Sequence, residues 1–260
     1  MSAPAAFAAR PTVTGRLARA LPVGLAAAVV ALHVVYPLVE GTARNRLTVV
    51  TVVVFFTASI THAVVWRGRG WTAALVAVTA GGGFAVEALG VSTGWPFGAY
   101  AYTGTLGPQP AGVPLVIPLA WTMMAYPALV VGRTIATHRW AGPLVAGWAL
   151  ASWDLFLDPQ MVDAGHWVWA ADGPTILGIP LSNFAGWTLV AVAMMAVLWR
   201  VPARGAPRPD DRPLYALYLW VYASSVLAHL AFFGLAGSAL LGGVGMGAIV
   251  VALLWSLRRR

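Results

Sequence analysis

Long runs of apolar residues, separated by short polar or charged stretches, dominate this chain. A helix needs about 20 apolar residues to cross the roughly 30 Å hydrocarbon core of a membrane, and eight segments reach or approach that length. They lie at residues 21–39, 47–66, 71–91, 113–132, 140–157, 181–200, 213–233 and 236–257. The pattern predicts an all-α fold, a polytopic transmembrane bundle of about eight helices.

The same pattern predicts one membrane domain, residues 21–257, between two short ends. We expect the Ala- and Pro-rich residues 1–20 to be disordered and residues 258–260 to form a basic tail. Three arginines precede the first apolar run, as in a signal peptide. That run continues to Val39 without a polar cleavage region, so we predict an uncleaved first helix.

The arginines predict the orientation of the bundle. With eight helices and an internal N-terminus, 14 of the 16 arginines fall in cytoplasmic segments, and only Arg44 and Arg46 fall outside. Both termini are therefore predicted to be cytoplasmic, in a multi-pass protein of the cell membrane. The long loops 92–112 and 158–180, which contain no Lys or Arg, then lie outside. A kink instead of a turn near Gly234 would reduce the count to seven helices.

Composition supports lipid as the solvent, since 60% of the residues are apolar and 9% are charged. The net charge of +8 comes from arginines at the ends of apolar runs, which anchor helices at a membrane surface and argue against nucleic acid as a partner. The absence of cysteine excludes disulfides, thiol nucleophiles, iron–sulfur clusters and cysteine zinc sites.

Three acidic residues stand out by position. Glu87 interrupts the third apolar run, where a carboxylate costs roughly 2.5 to 3.5 kcal/mol on insertion scales. It is either a helix-end acid in interfacial water or a group that donates a proton. Asp154 and Asp158 lie four residues apart, so they project from one helical face. The structural alternative is that Asp158, before Pro159, ends the helix.

An Asp-x-x-x-Asp pair is also a possible Mg²⁺ site for a diphosphate substrate. Such a site needs further carboxylates and nearby Lys or Arg, whereas the predicted outer loops beyond residue 46 contain no basic residue except His166. The five histidines form no closely spaced ligand pair. The sequence therefore predicts neither a metal site nor a cofactor.

Aromatic residues gather around the two long loops and the helix ends that carry them. An interfacial belt accounts for many of them, but a belt is expected on both faces of the membrane. Aromatic walls also suit a pocket for a polyene and stabilise a carbocation by cation–π attraction. The residues are Trp95, Phe97, Tyr100, Tyr102, Trp121, Tyr126, Trp148, Trp153, Trp167, Trp169 and Trp187.

Between about residues 80 and 200, the chain resembles the membrane-integral carotenoid 1,2-hydratases of bacteria and archaea, which include γ-carotene 1′,2′-hydratases and bisanhydrobacterioruberin hydratases. The combination of motifs is specific, although no single motif is. The matching residues are Glu87, Gly94 to Thr103, Leu106-Gly107, Val113-Pro114, Ile117 to Trp121, Tyr126, Asp154, Asp158-Pro159, Trp167-Val168-Trp169, Gly178-Ile179-Pro180, Asn183 and Gly186-Trp187.

The resemblance implies addition of water across the terminal 1,2 double bond of an acyclic carotenoid, giving a tertiary 1-hydroxy group without a redox cofactor. It implies Glu87, Asp154 and Asp158 as catalytic acids, with the proton donor among them left open. Association with other carotenoid biosynthesis enzymes is a further expectation. The implied substrate-binding residues are Trp95, Phe97, Tyr100, Tyr102, Trp121, Tyr126, Trp153, Trp169, Asn183 and Trp187.

Two other functions remain open at this point. A carotenoid cyclase also protonates a polyene end, but its cation loses a proton after ring closure. A proton-coupled transporter uses intramembrane acids as a relay. An inverted repeat would favour the transporter, and the sequence shows no such symmetry.

Overall fold

The computed structural model describes residues 13–170, 173–203, 205–206 and 209–259. The parts of the predicted terminal segments at residues 1–12 and 260, and the arginines at positions 204 and 208, lie outside this description. The helices are α1 Val13–Val35, α2 Gly41–Arg67, α3 Arg69–Val76, α4 Gly82–Thr93, α5 Val116–Ile135, α6 Ala141–Ala151, α7 Asp154–Asp163, α8 Leu181–Arg200, α9 Arg212–Ala231 and α10 Ala236–Arg258.

The polytopic helical bundle is confirmed. In the described part of the chain, seven spans are long and apolar enough to cross a membrane. The first extends from Arg19 in α1 through the short 3-10 turn Tyr36–Leu38, and the others are α2, the joined helices α3 and α4, α5, α8, α9 and α10. A π-helical turn at Ala77–Gly81 joins α3 to α4. Gly234 adopts φ 69° in the turn between α9 and α10, so these are two helices and not one kinked helix. The side of the membrane that holds the termini stays a prediction.

The predicted segment 140–157 differs from the others because it is divided. Helix α6 ends at Ala151, and α7 starts at Asp154 after a short turn through Ser152 and Trp153. The break places Asp154 at the first turn of a new helix, inside the protein and not along a continuous span.

Helix α5 is the centre of the bundle. In its most apolar stretch of 18 residues, 72% of the residues are buried, compared with 17% to 44% for the other spans. Small residues bring its neighbour close: a Cβ atom added at Gly132 of α5 would lie 2.5 Å from the Cβ atom of Ala146 on α6. Such small-residue contacts let helix backbones approach closely in membranes. The acidic and aromatic residues of α4, α7 and α8 are arranged around this central helix.

Helices α5 and α7 each contain an internal proline with a compensating hydrogen bond from a neighbouring helix. A proline leaves the carbonyl four residues earlier without its helical donor. In α5, the Ser59 hydroxyl of α2 donates to the Met123 carbonyl at 3.0 Å, opposite Pro127. In α7, the Ser238 hydroxyl of α10 donates to the Leu155 carbonyl at 2.7 Å. The interpretation that Asp158 before Pro159 ends the helix is therefore wrong, since α7 continues to Asp163.

We expect Ser59→Ala to lower the free energy of unfolding by about 1 kcal/mol, because the buried Met123 carbonyl loses a donor. Thermal unfolding in detergent would measure the difference. Ser256→Ala is a matched control. The Ser256 hydroxyl donates to the Ala252 carbonyl of its own helix, and no proline removes the helical donor of that carbonyl. Equal melting temperatures for the two variants would contradict the bridging role.

Two small antiparallel sheets supplement the helices in the long loops. Strand β1, Tyr100–Tyr102, pairs with β2, Trp167–Trp169. Strand β3, Thr175–Ile176, pairs with β4, Ile179–Pro180, through a two-residue turn in which both residues have positive φ. The pairing of β1 with β2 joins the loop after α4 to the loop after α7, and it closes one end of the bundle.

Candidate active site

The sheet between β1 and β2 turns four aromatic side chains towards the bundle. Tyr100 lies opposite Trp169, and Tyr102 lies opposite Trp167. Side chains alternate along a strand, so the intervening Ala101 and Val168 face outwards and are exposed. The ring centroids of Tyr100 and Trp169 are 5.0 Å apart, and those of Tyr102 and Trp167 are 5.6 Å apart. The two loops thus form an aromatic cover over the site.

Glu87 on α4 is buried beneath this cover and accepts three hydrogen bonds. The hydroxyls of Tyr100 and Tyr102 donate to Oε2 at 2.5 and 2.9 Å. The indole N–H of Trp121 on α5 donates to Oε1 at 3.0 Å. Burial, together with the Glu87 charge, raises the pKa of Tyr102 well above its ordinary value, so this phenol remains a donor. Both carboxylate oxygens of Glu87 are therefore engaged, and the reading of Glu87 as a solvated helix-end acid is wrong.

Two glycines of α4 make room for the partners of Glu87. A Cβ atom at Gly83 would lie 2.8 Å from indole atoms of Trp121. A Cβ atom at Gly90 would lie 2.9 Å from the Tyr100 hydroxyl oxygen. Both distances are too short for an unaltered contact. Any larger residue at either position would displace a hydrogen-bond donor of Glu87.

Asp154 and Asp158 form a second acidic group, linked by one amide. The Asn183 side chain on α8 donates from Nδ2 to Oδ2 of Asp154 at 2.8 Å and also to Oδ2 of Asp158. The indole of Trp167 donates to Oδ1 of Asp158 at 2.6 Å. Oδ1 of Asp154 is buried and has no hydrogen-bond partner among the described residues. Of the three buried carboxyl groups, only Asp154 thus retains an oxygen without a protein donor in the described structure.

The two acidic groups line one cavity of about 40 Å³. Its walls also contain two stacked indoles, Trp121 and Trp187, whose ring centroids are 4.0 Å apart at an interplanar angle of 12°. Trp153 meets Trp187 edge to face at 6.2 Å. The full lining is Glu87, Phe97, Tyr100, Tyr102, Ile117, Ala120, Trp121, Trp153, Asp154, Leu157, Asp158, Trp167, Trp169, Asn183 and Trp187.

All three predicted acids and eight of the ten predicted substrate-binding residues line this cavity. The structure does not bring Trp95 or Tyr126 to it. Trp95 lies in the turn after α4 and is 60% exposed. Tyr126 follows Trp121 by five residues, about 140° around the helix, and its hydroxyl lies 3.0 Å from Nδ1 of His62 on α2.

Four residues of the lining were not predicted from the sequence to belong to the site. Trp167 carries a recognisable signal, because Trp-x-Trp spacing in a strand places both indoles on one face. Ile117, Ala120 and Leu157 are apolar residues in apolar segments, and no local pattern distinguishes them from core residues. His166, the one basic residue of the long loops, is buried, and its Nδ1 lies 2.8 Å from the Thr105 hydroxyl.

The site combines carboxyl groups with electron-rich rings, and no arginine or histidine is present in its described lining. Two carboxyl groups that share one amide donor repel each other when both are charged, so the Asp154–Asp158 pair favours the retention of one proton. The indole faces attract positive charge. Such a site can protonate an alkene and stabilise the cation that forms.

Comparison with known sequences gives two matches. The sequence profile of a family described as carotenoid biosynthesis proteins matches residues 47–250. Bisanhydrobacterioruberin hydratase from Haloarcula japonica is 34% identical over 121 residues, which cover 45% of this chain and 40% of that protein. The matched region thus spans less than half the length of that relative. No solved structure matches the chain.

Proposed function

Because this chain belongs to the carotenoid biosynthesis protein family, we propose that it is a carotenoid hydratase, a hydro-lyase that adds water to the terminal 1,2 double bond of an acyclic carotenoid. The observation that carries the proposal is that Oδ1 of Asp154, in a cavity walled by indole and phenol rings, has no hydrogen-bond partner among the described residues. The hydratase name of the Haloarcula japonica relative supports the same reaction type.

The proposed reaction begins with proton transfer from the Asp154 carboxyl group to C2 of the double bond. The π electrons form the new C2–H bond and leave a tertiary cation at C1. A water molecule then attacks C1 and forms the C–O bond. The oxonium ion returns one proton to the Asp154 carboxylate, which restores the acid, so the net change is the addition of one water molecule. No step needs a redox cofactor or a metal ion.

The other residues stabilise the cation and hold the side chains of the site in position. The stacked pair of Trp121 and Trp187 offers π faces to the positive charge, since cation–π attraction is worth about 2 kcal/mol or more at a desolvated site. Glu87 holds Trp121 through its indole N–H and adds negative charge to the cavity. Asn183 fixes the positions of both aspartates. These contributions are largest when the cation forms, which is the requirement for catalysis.

Water addition can be tested by expressing the chain in cells that accumulate lycopene and analysing the pigment by chromatography and mass spectrometry. The proposal requires a new species heavier by one water molecule. Growth in H₂¹⁸O would place the heavy oxygen in its tertiary hydroxyl group. A product of unchanged mass with a shifted spectrum would indicate cyclisation, and unchanged pigment beside membrane-inserted protein would refute hydration of this substrate.

The cell membrane is the proposed location, with both termini in the cytoplasm and the divided segment α6–α7 as an eighth crossing. The seven long apolar spans support membrane insertion. Other carotenoid enzymes in the same membrane would be suitable partners, because a substrate this apolar moves between enzymes through lipid more readily than through water.

A further inference from the structure

A second, larger cavity adjoins the acidic one. It has a volume of about 150 Å³ and lies between α1, α2, α5, α7 and α9. Five residues line both cavities: Ile117, Ala120, Trp153, Leu157 and Trp167. They form a shared boundary, here called the throat. The two spaces are therefore neighbours separated by side chains and not by a helix.

The lining of the larger cavity follows one face of several helices. On α9 it comprises Val221, Ser224, Ser225 and Ala228, a spacing of three and four residues. On α5 it extends from Val116 to Met124, a length of about 12 Å at 1.5 Å per residue. The cavity is thus elongated along the helices, as a linear ligand requires.

Most of this lining is apolar or aromatic, and no acidic or basic residue other than His33 contributes to it in the described structure. His33 accepts a hydrogen bond from the indole of Trp220 at 3.2 Å. The Tyr36 and Thr48 hydroxyls lie 3.1 Å apart and bond to each other. The Thr51 hydroxyl is buried without a described partner. The chemistry of the wall therefore favours a hydrocarbon chain over a charged or strongly polar ligand.

The acidic cavity alone is small for the proposed substrate. Its volume of about 40 Å³ is far below that of sites that enclose drug-sized molecules, roughly 300 to 1,000 Å³. A polyene of tens of carbons needs additional space directly beside the reacting end.

We propose that the larger cavity binds the segment of the polyene chain next to the end group, while the end group passes the throat and reaches Asp154. This inference rests on the proposed function for the identity of the ligand, and it assigns a separate binding site to the unreactive part of that ligand. The enclosed length of chain then contributes binding energy at a distance from the reacting carbons.

The assignment can be tested by binding, independently of catalysis. Purified protein in lipid nanodiscs is titrated with lycopene, and binding is followed by quenching of tryptophan fluorescence, since Trp153 and Trp167 border the cavity. Ala228→Phe places a ring from α9 in the cavity. We expect it to weaken lycopene binding about tenfold, because the ring occupies space that the ligand needs. Leu227→Phe is the matched control, because Leu227 is the adjacent residue and is 61% exposed.

Ser225→Leu is a second variant that fills the same cavity with a smaller side chain, in case Ala228→Phe does not fold. Asp154→Asn should bind lycopene like the wild type, which separates binding from chemistry. Weakened binding by the filling variants, in a protein that yields no hydrated product, would support the cavity and refute hydration of lycopene. Equal binding by Ser225→Leu, Leu227→Phe and the wild type would overturn the cavity assignment, whatever the product.

Discussion

Asparagine in place of Asp154 is expected to reduce the rate of water addition by about 10² to 10⁴-fold, the usual contribution of a general acid. The amide has nearly the same shape but cannot supply a proton to the alkene. Asp154 is the proposed donor because Oδ1 has no described partner, whereas both oxygens of Glu87 and of Asp158 accept hydrogen bonds. Initial rates of hydrated product from lycopene in nanodiscs would measure the loss.

Asp163→Asn is the matched control for this substitution, since Asp163 lies on the same helix and is exposed. It should retain full activity. Asp158→Asn should lose less activity than Asp154→Asn, because Asp158 already accepts from Trp167 and Asn183 and serves to position the pair. The opposite order would assign proton transfer to Asp158 instead.

Glutamine in place of Glu87 is expected to lower the rate by about 10² to 10³-fold, the loss typical for one group that stabilises developing charge. The substitution removes a negative charge near the cation. It also replaces an accepting oxygen by an NH₂ donor. That donor faces either the two phenols or the indole of Trp121, which donate to Glu87 in the wild type. We expect the loss in kcat, with lycopene binding retained, because the chain site lies beyond the throat.

Two controls separate this effect from general damage. Glu40→Gln changes an exposed glutamate between α1 and α2 and should be silent. Tyr102→Phe removes one of three donors and leaves the charge of Glu87, so its loss should be smaller than that of Glu87→Gln. A Glu87→Gln enzyme with normal kcat would show that neither the charge nor the indole contact contributes to the reaction.

The candidate site was only partly predictable from sequence. Glu87 is conspicuous because a carboxyl group in an apolar run is costly, and Asp154 and Asp158 are conspicuous because their spacing places them on one face. Their partners are not conspicuous. Asn183 lies 25 residues after Asp158 on another helix, and its double hydrogen bond depends on how α8 is rotated against α7.

Tyr126 illustrates the same limit. It is aromatic, lies near Trp121 in sequence and belongs to the matching motif, yet it packs against Trp71 and His62 on another side of α5. Proximity in sequence does not give the face of a helix that meets a cavity. The helix rotation that decides it results from the packing of α5 against all its neighbours.

The sequence by itself determined the spans, because the hydrocarbon core selects apolar segments of sufficient length and that property is local. It also determined which carboxyl groups are unusual, since their cost depends on the apolar residues beside them. Only the tertiary structure decided that α6 and α7 are separate, that β1 pairs with β2 above Glu87, and that a second cavity adjoins the acids. These features arise from contacts between segments that are distant in sequence, and hydropathy along the chain does not predict such contacts.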